Sequence, residues 1–171
     1  MRLNVGCGNH YADGWVNVDI DAGGDVRTDV QGDITGTLPF NDGSAERIYL
    51  GHVLEHVDLD DVPPALAECR RLLGHGGVMC IVGPDCDRAD AMLAAGQLDD
   101  VEHGLVVEGA GRWAHDVHLW RSTETAVTAM LEADGWTVLP VTLDELARST
   151  WPLVSGVAWQ FSVIALPGGD R

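Results

Sequence analysis

Arg2-Leu3-Asn4-Val5-Gly6-Cys7-Gly8, continued by Trp15-Val16-Asn17-Val18-Asp19-Ile20-Asp21, is the stretch around which the rest of the chain is organised. It reads as strand, glycine loop, strand and acidic residue, the front end of a nucleotide-binding α/β domain. Gly6 and Gly8 let the backbone turn sharply and come close to a ligand, and an acidic side chain ending the second strand can accept hydrogen bonds from two ribose hydroxyls. Residues 9–14 between the two strands are too few for a crossover helix, which needs about a dozen residues.

Further along, a short third strand is expected around Val26 to Val30 and a fourth at Arg47-Ile48-Tyr49-Leu50. After His52 to Val57, Asp60 or Asp61 can cap a helix whose first turn holds Pro63 and Pro64. Leu66, Cys69 and Leu73 follow at helical spacing, and Gly74 to Gly77 end the helix. Val78-Met79-Cys80-Ile81-Val82 is a continuous apolar run between glycines, the pattern of a strand covered on both faces near the sheet centre. Residues 85–121 are the least regular part, with a short helix expected at Arg88 to Ala95 and an acidic run at Asp99 to Glu102. Ser122 can cap a helix from Thr123 to Asp134, with Val127, Met130 and Leu131 on one face and Gly135 closing it. The last strands are Trp136 to Val141 and Ala158 to Leu166, separated by a helix fragment or loop at Thr142 to Gly156.

A chain of 171 residues fits one domain, which buries roughly 70% of the surface of its unfolded form. No apolar run approaches the about 18 residues of a membrane span. The first strand starts directly after Met1 with no basic and apolar leader, so a cytoplasmic protein is expected. Cys7, Cys69, Cys80 and Cys86 lack metal-like or redox spacing and are expected as reduced thiols in a glycine loop, a helix, a strand and a loop. The net charge of −17, with ten basic residues that are all arginine, argues against bulk binding to nucleic acid or anionic membranes, which depends on clustered cations. A cationic cofactor suits it.

Several stretches in order resemble one family. Leu3 to Gly8, Gly14-Trp15-Val16-Asn17-Val18-Asp19-Ile20, Gly32-Asp33-Ile34, Leu38-Pro39-Phe40 and His52-Val53-Leu54-Glu55-His56 are similar to class I S-adenosylmethionine-dependent methyltransferases, in the small variety with a reduced first helix. Gly76-Gly77 before Val78 to Val82, Pro84-Asp85, His118-Leu119-Trp120 and Ala133-Asp134-Gly135-Trp136 extend the likeness along nearly the whole chain. The resemblance implies a Rossmann-like, mostly parallel sheet of seven strands in the order 3-2-1-4-5-7-6, the last strand antiparallel, with a reduced set of helices. It implies S-adenosylmethionine as cofactor and S-adenosylhomocysteine as product. Asn4, Gly6, Cys7, Gly8, Asp19, Ile20, Asp33, Ile34 and His52 are the cofactor-site candidates: the glycines beside the methionine part, Asp19 on the ribose, Asp33 and the Ile34 backbone at the adenine. The family often has an acidic residue where Asn4 stands and a third glycine where His10 stands. With the front helices shortened, one sheet face is expected to need a covering partner, hence a homodimer.

The activity implied is methyl transfer to a small-molecule or sugar-like acceptor, with residues 85–121 as an acceptor-side insert in a single domain. In-line displacement at a sulfonium asks mainly for positioning. For a hydroxyl acceptor a general base helps, and His118, His52 and Asp85 are the candidates, with His115 nearby. His56 reads as a capping or core residue. Trp113 and Trp120 are placed to stack on a sugar or aromatic acceptor, or to pack as buried rings. Three rival readings use the same residues. One is a cofactor-binding or interaction module without catalysis. A nicotinamide-binding domain is another, although the G-x-G-x-x-G pattern is incomplete. The third is a zinc hydrolase, because His52-Val53-Leu54-Glu55-His56 spells H-x-x-E-H; the strand just before it argues against the long helix such a site requires.

Overall fold

The computed structural model describes residues 1–21, 26–112, 115–152 and 157–168. Their strands are β1 (Arg2–Val5), β2 (Val16–Asp19), β3 (Val30–Gln31), β4 (Ala45–Gly51), β5 (Leu73–Pro84), β6 (Trp136–Pro140) and β7 (Gln160–Pro167). They form one sheet in the order β3-β2-β1-β4-β5-β7-β6, as expected. β7 runs antiparallel to both β5 and β6, while the other pairings are parallel. The helices are α1 (Val62–Leu72), α2 (Cys86–Ala94), α3 (Asp100–Glu108), α4 (Glu124–Ala133) and α5 (Leu143–Ala147), with a single 3-10 turn at Leu54–His56. None of these helices is long and apolar enough to cross a membrane.

Strand alternation sorts the side chains onto two faces. Leu3 and Val5 sit in register with Ile48 and Leu50, and these with Met79 and Ile81. With Val18, Val163 and Ala165 they form the main core, packed against Leu66, Cys69 and Leu72 of α1 and Val127 and Leu131 of α4. On the other face Tyr49, Cys80 and Val82 pack with Trp15 and with Leu146 of α5.

Toward β2 that second face turns polar. Asn4 and Asn17, directly opposed on β1 and β2, are both buried. Asn4 Nδ2 donates to Asn17 Oδ1 (2.9 Å) and to the His10 carbonyl, and Asn17 Nδ2 donates to the carbonyls of Ala12 and Trp15. The 9–14 loop is thereby fastened over the ladder where a crossover helix would otherwise lie. Around Asn4 and Asn17 this face is closed by hydrogen bonds of the chain itself.

Several boundaries differ from the sequence reading for identifiable reasons. The third strand starts only at Val30, because the Asp29 carboxylate accepts from the Asn17 backbone N–H (2.8 Å) and Nδ2 (2.9 Å), occupying the place of a ladder neighbour. Leu73 and Gly74 to Gly77 belong to β5 rather than to the end of α1. Leu73 pairs with Ala45, and a Cβ on Gly74 would lie 2.6 Å from the Gly43 carbonyl oxygen, so glycine is what lets the 41–44 turn close on the strand. The acidic run is the start of α3, where Asp99 and Glu102 form a capping box. Thr123 caps α4 in place of Ser122, whose carbonyl accepts the Cys86 N–H. Cys86 opens α2 instead of lying in a loop, and all four cysteines are free and buried.

Candidate functional site

Parallel strands all end on the same side of a sheet, and the ends of β1 to β4 border a cleft of about 710 Å³. Gly6 and Gly8 turn the chain off β1 with φ of +67° and +49°. A Cβ on Gly6 would meet Val53 Cγ2 at 2.4 Å, so both backbone conformation and space demand glycine there. Gly6→Ala is expected to cost about 2 kcal/mol of stability through strain and displacement of Val53, read as a lower midpoint in denaturant unfolding.

Asp19 ends β2 and is only 9% exposed. Its Oδ2 accepts the Gly8 N–H at 2.7 Å and its Oδ1 the Asp21 N–H at 3.0 Å. The carboxylate is thus fixed against the glycine loop, with lone pairs to spare for a ligand. Ile20, Asp33 and Ile34 continue the same wall, and Asp33 Oδ1 is held by the backbone and hydroxyl of Thr35. Asp19, Asp21, Asp33, Asp58, Asp61 and Asp116 all line the cleft, and among the described residues no arginine does. Asp116 is ion-paired to Arg112 at 2.8 Å; the others leave the cavity strongly acidic. Asn4 and Cys7, also cofactor candidates, border a separate cavity of about 380 Å³ behind the loop. Asn4 is committed to the Asn17 network, and burial, with the nearby Asp19 charge, pushes the Cys7 thiol up to about 11.

His52 follows β4 in the left-handed region with φ of 57°, the one non-glycine residue so placed among the described residues. Its Nδ1 donates to Glu55 Oε1 at 2.9 Å, and its Nε2 accepts from the Gln160 amide. Both ring nitrogens are engaged, which holds this strained residue in place on the cleft wall. Glu55 is 1% exposed. Burial raises its pKa, but the His52 hydrogen bond and the adjacent His52 and His56 rings outweigh it and leave the carboxyl below its ordinary range. The H-x-x-E-H residues therefore occupy a strand end and a 3-10 turn, with no helix to present His52 and His56 side by side to zinc.

His115, Asp116 and Leu119 reach the cleft from the segment after α3, and Leu119 N–H donates to the Glu55 carbonyl. His118 does not line the cleft. It packs edge-on against His56 (4.9 Å between ring centroids), and burial lowers its pKa. Asp85 lies away from the cleft, where it caps α2 by accepting the Arg88 N–H (3.2 Å). Trp120 donates its indole N–H to the carbonyls of Leu54 and Val57, clamping the 3-10 turn instead of facing an acceptor. Trp113 is outside the described residues. Glu55 as the orienting partner of His52, and Asp58 and Asp61 as acidic lining, were not assigned these parts from the sequence; the three-residue spacing of His52 and Glu55 across a turn was the available signal.

Residues 3–81 match the family model described as a methyltransferase domain. The fold is similar to that of the DhpI–SAH complex (TM-score 0.59, 19% identity, covering 99% of this chain and 77% of that one). It is also similar to PH0226 protein from Pyrococcus horikoshii OT3 (TM-score 0.62, 14% identity, 97% and 81% covered). A third likeness is to the glycopeptide N-methyltransferase MtfA complexed with S-adenosyl-L-methionine (TM-score 0.56, 16% identity, 98% and 81% covered). No protein of curated function matches the sequence. The resemblance read from the sequence is borne out, in the front half by sequence and over the described chain by fold.

Proposed function

We propose that this chain, carrying a methyltransferase-domain match on a class I methyltransferase fold, transfers a methyl group from S-adenosylmethionine to a small-molecule or sugar-like acceptor. The observation that carries the reading is the Gly6–Gly8 loop and the fixed Asp19 carboxylate on adjacent strand ends, forming one wall of a cleft lined by aspartates. Asp19 receives the ribose hydroxyls and Asp33 with Ile34 meets the adenine. The glycine loop passes the methionine part, whose sulfonium is attracted by the surrounding carboxylates. Transfer moves the methyl carbon to an acceptor oxygen or nitrogen, breaks its bond to sulfur and leaves a neutral thioether. The attraction that gathered the donor is then gone, which favours product release.

The acceptor enters beside His52, His56 and His115, with residues 85–121 supplying its side of the cleft. Of the candidate bases, His52 is the one on the cleft wall. With Nδ1–H on the ionised Glu55, its Nε2 is the lone-pair nitrogen, and it can take the acceptor proton when the Gln160 amide yields. His118 and Asp85 act through structure. Neighbours that include a glycopeptide methyltransferase fit an acceptor of this kind.

Calorimetric titration tests the reading. The expected result is one site per chain with micromolar affinity for S-adenosylmethionine, exceeding that for S-adenosylhomocysteine at low ionic strength by a margin that narrows with added salt. A folded protein that binds neither ligand overturns it.

A further inference from the structure

Glu55, His56 and His118 bring one carboxylate oxygen and two ring nitrogens within 4.8 Å of one another. His118 Nδ1 is buried and has no hydrogen-bond partner among the described residues. Buried polar atoms in native proteins are nearly always satisfied, so an orphaned imidazole nitrogen on a member of such a cluster calls for an occupant. We propose that Glu55, His56 and His118 hold a divalent transition-metal ion of the zinc or cobalt kind.

The chemistry of the three groups supports this. A neutral imidazole ligates through the nitrogen that lacks the proton, and its other nitrogen usually donates to a carbonyl or carboxylate that fixes the tautomer. His56 Nδ1 donates to the Val117 carbonyl at 3.0 Å, leaving Nε2 as the lone-pair atom. On His118 the buried Nδ1 is the nitrogen without a partner among the described residues. Glu55 uses Oε1 for His52 and keeps its second oxygen. Two imidazoles and one carboxylate suit zinc, cobalt, nickel or iron better than magnesium or calcium, which prefer all-oxygen shells. Metal–ligand bonds of about 2.0–2.2 Å place tetrahedral ligand atoms about 3.4 Å apart, so the groups need to close by at most about 1.4 Å. Three protein ligands also leave an open coordination position, and His56 is shared with the cleft wall.

This set differs from the H-x-x-E-H reading. There His52 and His56 would ligate and Glu55 would act as base; here Glu55 is a ligand and His52 orients it.

The inference is independent of the cofactor, and its test uses the metal alone. The whole chain, stripped with a chelator, is titrated with cobalt(II) chloride and followed by its visible ligand-field absorption. Expected are one cobalt per chain and intense bands of low coordination number, displaced by zinc. Affinity should fall about 100-fold in His118→Gln and in His56→Gln, at the upper end of what orienting residues alone cost. His103→Gln, which alters a ring paired to Asp90 outside the cluster, should keep it. Circular dichroism and S-adenosylmethionine titration of the same variants report whether each is folded. No stoichiometric cobalt binding by the folded wild type overturns the proposal, and so does unchanged binding in both ligand variants.

Discussion

Asp19→Ala is expected to weaken S-adenosylmethionine binding by about 100-fold, measured by calorimetry on protein shown to be folded. Two hydrogen bonds from ribose hydroxyls to an ionised carboxylate contribute roughly 1.5 kcal/mol each, and about 2.7 kcal/mol corresponds to that factor. The substitution also removes the acceptor that fixes Gly8 and Asp21, so part of the loss comes through the loop. Asp19→Asn separates the two effects. It keeps one acceptor oxygen and the side-chain shape, and should lose only about 10-fold, the value of one charge-assisted bond. Equal affinity in all three proteins would remove Asp19 from the site.

Glu68→Ala is expected to destabilise the fold by about 3 kcal/mol, because it breaks a buried pair and orphans a backbone donor. Glu68 is 7% exposed. Its Oε1 accepts the Leu38 N–H at 2.8 Å and Arg71 Nη2 at 2.6 Å, and its Oε2 accepts Arg71 Nε at 2.7 Å. Arg71 reaches on to the carbonyls of Leu38 and Phe40, so one ion pair on α1 staples the Leu38-Pro39-Phe40 loop to the core. The arginine side chain keeps 26% of its surface in water, which places the figure at the low end for a buried pair. The melting temperature should drop by roughly 6–12 °C for a domain of this size.

The same residue sets a pH dependence. The Arg71 hydrogen bonds lower the Glu68 pKa against the opposing effect of burial, with help from the Leu38 N–H and the Arg71 charge. The folded form thus holds the proton less tightly than the unfolded chain does. Its contribution is full above the ordinary value of 4.5 and is lost as pH falls through the lowered one. Denaturant curves for wild type and Glu68→Ala should be well separated at neutral pH and converge in acid; a separation that persists in acid would assign the loss to packing.

Much of this was legible because it rests on short-range rules. Gly6 and Gly8 follow from what a sharp turn at a strand end requires, and Val78 to Val82 reads as a central strand because only a doubly covered strand tolerates such a run. What escaped depends on partners distant in sequence. Nothing local says that Asp29 would occupy Asn17, that Leu73 would pair with Ala45, or that Trp120 would clamp a turn 66 residues earlier. Asp99 to Glu102 was readable as a capping box, but its charge density hid the helix start. Asp85 and His118 share the end of the sheet with the cleft, yet the first is spent on a cap and the second faces Glu55 and His56.

The placement of β7 bears on how the protein is made. It is the seventh strand in chain order, yet it lies between β5 and β6 and runs against both. During synthesis on the ribosome, one edge of β5 stays open until Gln160 to Pro167 have emerged, and β6 has no neighbour until then. The nascent chain must therefore carry an unpaired strand edge while residues 85–159 are made. That interval, more than the finished molecule, is where a chaperone would engage it and where slow translation would favour aggregation.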